Sequence, residues 1–177
     1  MKFSYGNSWL ILAGLALGVT ATNGFAHFSY GLIIPAMRSE MGWNYAEAGW
    51  LNTANAFGYI LGALVTMRMI RSRTPTDLFI FGLITTTIAL MATGLNSALW
   101  WQTLWRVLAG LFRAMSFSTA GVLAASLFKN DPQRNALAIA VLLGNGGGLG
   151  IELAGAILPL MLDPYGPSFW PITWIIV

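Results

Sequence analysis

Four ionisable side chains fall inside long apolar stretches of the sequence: His27, Arg106, Arg113 and Glu152. A charge in hydrocarbon costs at least ~2.5–3.5 kcal/mol on insertion scales, so such a residue usually faces a bundle interior or a watery cavity. The chemistry open to this set is the binding of a small polar solute or the movement of protons. Arg106 and Glu152 carry opposite charges, which at matched depth offset each other's desolvation. They are expected to approach each other, directly or through water. Such a pair serves either a substrate or proton pathway or, as the alternative, helix packing alone. Arg113 follows Arg106 by two turns on the same helix face. It either lines the same cavity at greater depth or snorkels toward the headgroups. His27 joins the pathway or simply hydrogen-bonds between helices. Asn23 lies one turn before His27, and Asn52 and Asn55 are spaced i,i+3 on one face. Buried amides of this kind glue helices together or contact substrate.

Other chemistries lack their residues. An intramembrane enzyme needs paired carboxylates, a Ser–His pair or a comparable nucleophile and base. The chain has one histidine, no cysteine and no second acid beside Glu152. No enzyme activity, metal site or cofactor is expected. The run Gly144-Asn145-Gly146-Gly147-Gly148-Leu149-Gly150 resembles a phosphate loop, but Leu149 or Ile151 falls where the last glycine should be, and no strand precedes it. No basic cluster sits on a soluble surface, so nucleic acid is not an expected partner.

The elements that must position these residues follow from composition. The 177 residues are 56% hydrophobic and 8% charged, against about 25% charged in a soluble domain. That is too few charges for a water-facing surface, and the partner solvent is the lipid bilayer. The fold class is an all-α membrane protein, a polytopic transmembrane helix bundle. A span needs about 20 mainly apolar residues. Five stretches meet this: 9–37, 48–67, 78–95, 98–128 and 135–162, with a sixth over 169–177. The connections are short, so successive helices run antiparallel. With a rise of 1.5 Å per residue, Arg106, Glu152 and His27 all lie roughly 12–15 Å from the outer end. The stretch 78–95 has no charge and reads as a peripheral, lipid-facing helix. Small-xxx-small pairs such as Gly14/Gly18, Gly58/Gly62, Gly110/Ala114, Gly144/Gly148 and Gly146/Gly150 are expected to let backbones approach closely.

Lys2, Arg68, Arg71, Arg73, Lys129 and Arg134 fall on one side of the membrane and Arg38 on the other. The positive-inside rule therefore puts the N-terminus in the cytoplasm. The first apolar run reaches Ile34, beyond the roughly 7–15 residues of a signal core, and is expected to be retained. The chain stops within its sixth span at Trp174-Ile175-Ile176-Val177. The expectation is a C-terminally truncated piece of a longer transporter, with five full helices and a partial sixth. The alternative is a small complete membrane protein that acts as an oligomer or assembly partner, with no transport of its own.

The residues carry a resemblance that fits this architecture. The whole chain resembles the N-terminal half of a major facilitator superfamily (MFS) transporter. The runs from His27 to Arg38 and from Gly49 to Tyr59 are similar to the YbfB/YjiJ branch, with His27 where that branch has arginine. In the loop pattern G-x-L-x-D-R-x-G-R-R, Gly62, Leu64, Arg68, Arg71 and Arg73 fit, and Thr66 replaces the aspartate. The resemblance implies a cytoplasmic gate there, weakened by that replacement. The pattern R-x-x-x-G-x-x-x-A matches as Arg106, Gly110 and Ala114, which implies a role for Arg106 in proton coupling. In the antiporter pattern, Gly144 and Gly148 fit but Leu149 replaces proline, so the direction of coupling stays open. The family implies secondary active transport of a small molecule across the bacterial inner membrane, with protons as the coupling ion. It also implies a second six-helix half as the missing C-terminal partner, since the site lies between halves.

Overall fold

A computed structural model describes residues 5–176, without the side chains of residues 5, 6, 26, 27, 145 and 146. Lys2 and the His27 side chain therefore lie outside the described residues. The chain is helical almost throughout. The first span is built from α1 (Tyr5–Val19), a π-helical segment (Thr20–Phe28) and α2 (Ser29–Met41). Then follow α3 (Tyr45–Met69), α4 (Pro75–Thr93), α5 (Leu99–Leu127) and α6 (Pro132–Tyr165), and a 3₁₀ turn (Pro167–Phe169) leads into α7 (Trp170–Ile176).

Local chemistry sets the boundaries. Gly42 ends α2 in the left-handed region at φ 65°, where a Cβ would be strained. Asn44 and Glu47 then form a capping box: each side chain accepts the other's backbone N–H at 2.9 Å. Thr74 caps α4 ahead of Pro75, and Asp131 caps α6 ahead of Pro132. In both places proline takes the first helical position, where its missing N–H costs nothing. The tight turn before α5 is closed by Asn96, whose Oδ1 accepts from the Ala98 N–H at 2.8 Å.

Four of the described helical spans are long and apolar enough to cross a membrane: Asn7–Met41, Pro75–Thr93, Leu99–Leu127 and Pro132–Tyr165. The sequence expectation was five. The difference is α3, whose 25 residues would cover roughly 37 Å. Its length suffices, but Asn52, Thr53, Asn55 and Thr66 lower its hydropathy.

Packing is set by where a Cβ is missing. A Cβ on Gly58 or Gly62 would run into the backbone of Val107 or Leu111, and one on Gly110 into the Asn55 carbonyl. The α3 and α5 backbones are therefore pressed together, as small residues permit in lipid. Gly24 in the π segment and Gly150 in α6 meet in the same way. Three expected packing glycines do not: Gly14, Gly144 and Gly148 face open space. Helix α4 is also less peripheral than expected. Leu78, Phe79, Gly82, Thr86, Ala89, Leu90 and Thr93 bury one face, with Gly82 against the backbone of Phe112 and Ser116.

Two apolar clusters form the core. One joins Ile33, Met37, Leu51, Leu90, Ala154, Leu158 and Trp174. The other joins Leu12, Leu15, Val19, Phe79, Ala120, Phe128 and Leu142. Along α5, Arg113, Ser116 and Thr119 are buried between Ala109 of the first cluster and Ala120 of the second.

Candidate functional site

Arg106 sits two turns into α5 with no solvent exposure. Its guanidinium carbon lies 4.1 Å from the centroid of the Tyr30 ring and 5.7 Å from that of Trp174. Tyr30 is in turn fixed at its far end, donating its hydroxyl proton to the Ala48 carbonyl of α3 at 2.7 Å. Asn55 donates its side-chain N–H to the Arg106 carbonyl at 2.9 Å, next to the close approach at Gly110. One residue thus gathers α2, α3, α5 and α7 around a cation.

Arg113, two turns further, is 7% exposed. Its guanidinium carbon lies 4.7 Å from the centroid of Tyr59 on α3, and its Nε is buried with no hydrogen-bond partner. Each aromatic face contributes about 0.5–2 kcal/mol to a cation. Desolvating an ion costs several kcal/mol even after relaxation, so the rings offset only part of it.

Glu152 does not approach Arg106. It is exposed on α6, while Gly150, Ala154 and Leu158 are buried. Those three define the inward stripe at i, i+4, i+8. A residue two positions from Gly150 is turned by about 200°, to the opposite face. The rise along the helices gives depth alone; rotation separates the two charges.

The asparagines divide as well. Asn55 is fully buried, whereas Asn52 is exposed and lines a groove with Phe28, Tyr30, Gly31, Ile34, Ala48 and Gly49. The groove encloses about 340 Å³. Asn23 is half-buried in the π segment. His27 belongs to the same segment by its backbone, its side chain being outside the described residues. Arg68, Arg71 and Arg73 are exposed around the α3–α4 turn, far along the chain from Arg106. Gly62 is part of the α3–α5 contact rather than the loop. The Thr66 hydroxyl donates to the Gly62 carbonyl of its own helix at 2.7 Å, so it supplies neither charge nor a free hydroxyl to a relay at that turn.

Sequence reasoning missed Tyr30, Tyr59 and Trp174, which hold the two arginines. Aromatic residues in apolar stretches read as filling. Their one available signal was helical register opposite a buried charge, and that needs the partner helix to be known.

Comparison with known proteins bears on what this arrangement serves. The family described as "Uncharacterised MFS-type transporter YbfB" matches residues 10–177. The chain belongs to this family. No curated protein matches it. The chain is thus an all-α, multi-pass membrane protein of MFS transporter type. Such a transporter works in a bilayer on a small-molecule substrate. In this MFS-type chain, Arg106 opens a run in which Gly110 and Ala114 are both buried against neighbours, so the three motif positions share one packed face.

Proposed function

We propose that the protein is a secondary active transporter of the bacterial inner membrane that couples a small molecule to protons. In this reading Arg106 is the fixed cation at the middle of the bundle, and Glu152 is the group that takes up and releases the proton. The N-terminus is cytoplasmic, with exposed Arg68, Arg71, Arg73, Lys129 and Arg134 toward the anionic inner leaflet. These helices act as one of two bundles that rock against each other. The coverage of α6 supports this: 19% of its most apolar stretch is buried, against 50% for α5, so the Glu152 face is open for a second bundle.

The observation that carries the reading is the fully buried Arg106, held on Tyr30 beside a nine-residue π-helical segment. An ionised residue at that depth is expensive and marks a pathway more often than a packing contact. π-helical turns concentrate at functional sites. The test uses the full-length protein in proteoliposomes given a mixed pool of labelled metabolites on the outside. Glu152→Gln is expected to lose uptake driven by a pH gradient while keeping exchange at equal pH. Gradient-driven uptake at the wild-type rate would remove Glu152 from the proton step. The 177-residue chain by itself is expected to give no coupled flux.

A further inference from the structure

The turn between α3 and α4 carries three arginines, Arg68, Arg71 and Arg73, against one acid, Asp77. This end of the bundle is therefore positively charged. The backbone at Arg73 is held from both sides. The Met69 carbonyl accepts from the N–H groups of Ser72 and Arg73, both at 2.9 Å, and from the Ser72 hydroxyl at 3.2 Å. The Thr74 hydroxyl, next in the chain, accepts from the Asp77 N–H at 3.1 Å. The Arg73 side chain is exposed. Among the described residues it makes no ion pair and no hydrogen bond.

A groove opens beside it. Helices α3 and α4 each lie against α5 and barely touch one another, which leaves a cleft between their ends. Met69, Arg73, Asp77, Leu78 and Phe81 line the cleft, which encloses about 460 Å³. Its lining is polar at the turn and apolar further in. Phe81 lies six residues into α4, roughly 9 Å from its start. Its exposed ring is held edge-on by Phe112 of α5, with centroids 5.7 Å apart. Ile84 and Ile88, also exposed, continue the apolar stripe along the same face of α4.

A charged head above an oily tail is the chemistry of a phospholipid, and lipid is the medium in which these helices stand. Basic clusters beside a span attract anionic headgroups. We propose that this groove is a binding site for an anionic phospholipid, with the phosphate on Arg73 and the start of one acyl chain along Leu78 and Phe81. Guanidinium pairs with phosphate through two parallel hydrogen bonds. A zwitterionic headgroup brings its own cation, which the neighbouring arginines repel. Asp77 opposes the bound phosphate and limits the affinity. A soluble anion meets the same opposition with no apolar wall to offset it. The inference takes from the transporter reading only the orientation that turns this end toward the anionic inner leaflet.

Native mass spectrometry of the detergent-solubilised full-length protein counts bound lipid. The probes are dioleoylphosphatidylglycerol, dioleoylphosphatidylcholine and glycerophosphate. Phosphatidylglycerol is expected to bind about fivefold more tightly than phosphatidylcholine, the scale of one arginine at a headgroup. Glycerophosphate is expected not to displace it. Arg73→Gln should remove the preference. Arg134→Gln removes equal charge from the start of α6 and should keep it. Asp77→Asn should tighten phosphatidylglycerol severalfold, and this opposite sign still reads the proposal if Arg73→Gln does not fold. Equal binding of the two lipids overturns the proposal, as does a preference that survives Arg73→Gln or an affinity unmoved by Asp77→Asn. Displacement of the lipid by glycerophosphate would mean a soluble-anion site and overturns it too. A failed lipid preference leaves gradient-driven uptake untouched, and failed uptake leaves the lipid site standing.

Discussion

At the scale of single residues, the cost of Arg106 organises its neighbourhood. Tyr30, Trp174 and the Asn55–Arg106 carbonyl bond each make a buried guanidinium less unfavourable or fix the helix that carries it. Asn55 tests the second role. Asn55→Ala removes one interhelical hydrogen bond and, with it, a buried Oδ1 that has no partner. The expected loss is about 0.5–1.5 kcal/mol, seen as earlier unfolding of the detergent-solubilised protein. A loss several times larger would mean that Asn55 also orders the guanidinium. Arg113→Gln should be tolerated better than Arg106→Gln in folding yield, because its side chain keeps 7% exposure and can relax toward it. At this scale the sequence revealed which residues were out of place in oil. It did not reveal their rotation. Glu152 and Arg106 share a depth because rise is fixed per residue, but azimuth depends on which stripe the helix buries. For α6 that stripe runs through Gly150, Ala154 and Leu158.

The elements add a second kind of constraint. Helices α3 and α5 touch backbone to backbone at Gly58, Gly62 and Gly110, and a side chain there has nowhere to go. Gly110→Val should separate the two helices and abolish a stable fold, measured as loss of the monodisperse peak on size exclusion. Gly148→Ala should leave bundle stability unchanged or raise it slightly, since nothing surrounds that position and alanine favours a helix by about 1 kcal/mol over glycine. A folding defect in Gly148→Ala would contradict the packing described. The breaks between apolar stretches were legible, because prolines and capping residues such as Thr74, Pro75, Asp131 and Pro132 are local signals. The π segment was not. Thr20–Phe28 contains no proline to break its ladder, and its Gly24 meets Gly150 of a distant helix. That contact is a tertiary fact, absent from any local pattern. The expected close packing at Gly14, Gly144 and Gly148 failed for the same reason: spacing shows where a close approach is possible, not which face has a neighbour.

For the molecule as a whole, the fold class followed from one balance, 8% charge in a chain that is 56% hydrophobic, and the family from the resemblance of particular motif runs. Lipid stands where water would be, and the large apolar side chains exposed along α3 and α4, such as Phe57, Ile60, Ile84 and Ile88, meet it. What composition could not reveal is that the six acids avoid the interior while two arginines occupy it. The account therefore turns on Arg106 as a working charge rather than a packing element. The direct test is solute exchange at equal pH in proteoliposomes holding equal amounts of folded wild-type and Arg106→Gln full-length protein. The account predicts at least a tenfold slower exchange in the variant, about 1.4 kcal/mol on the barrier. Exchange at the wild-type rate would contradict it and return Arg106 to a structural role.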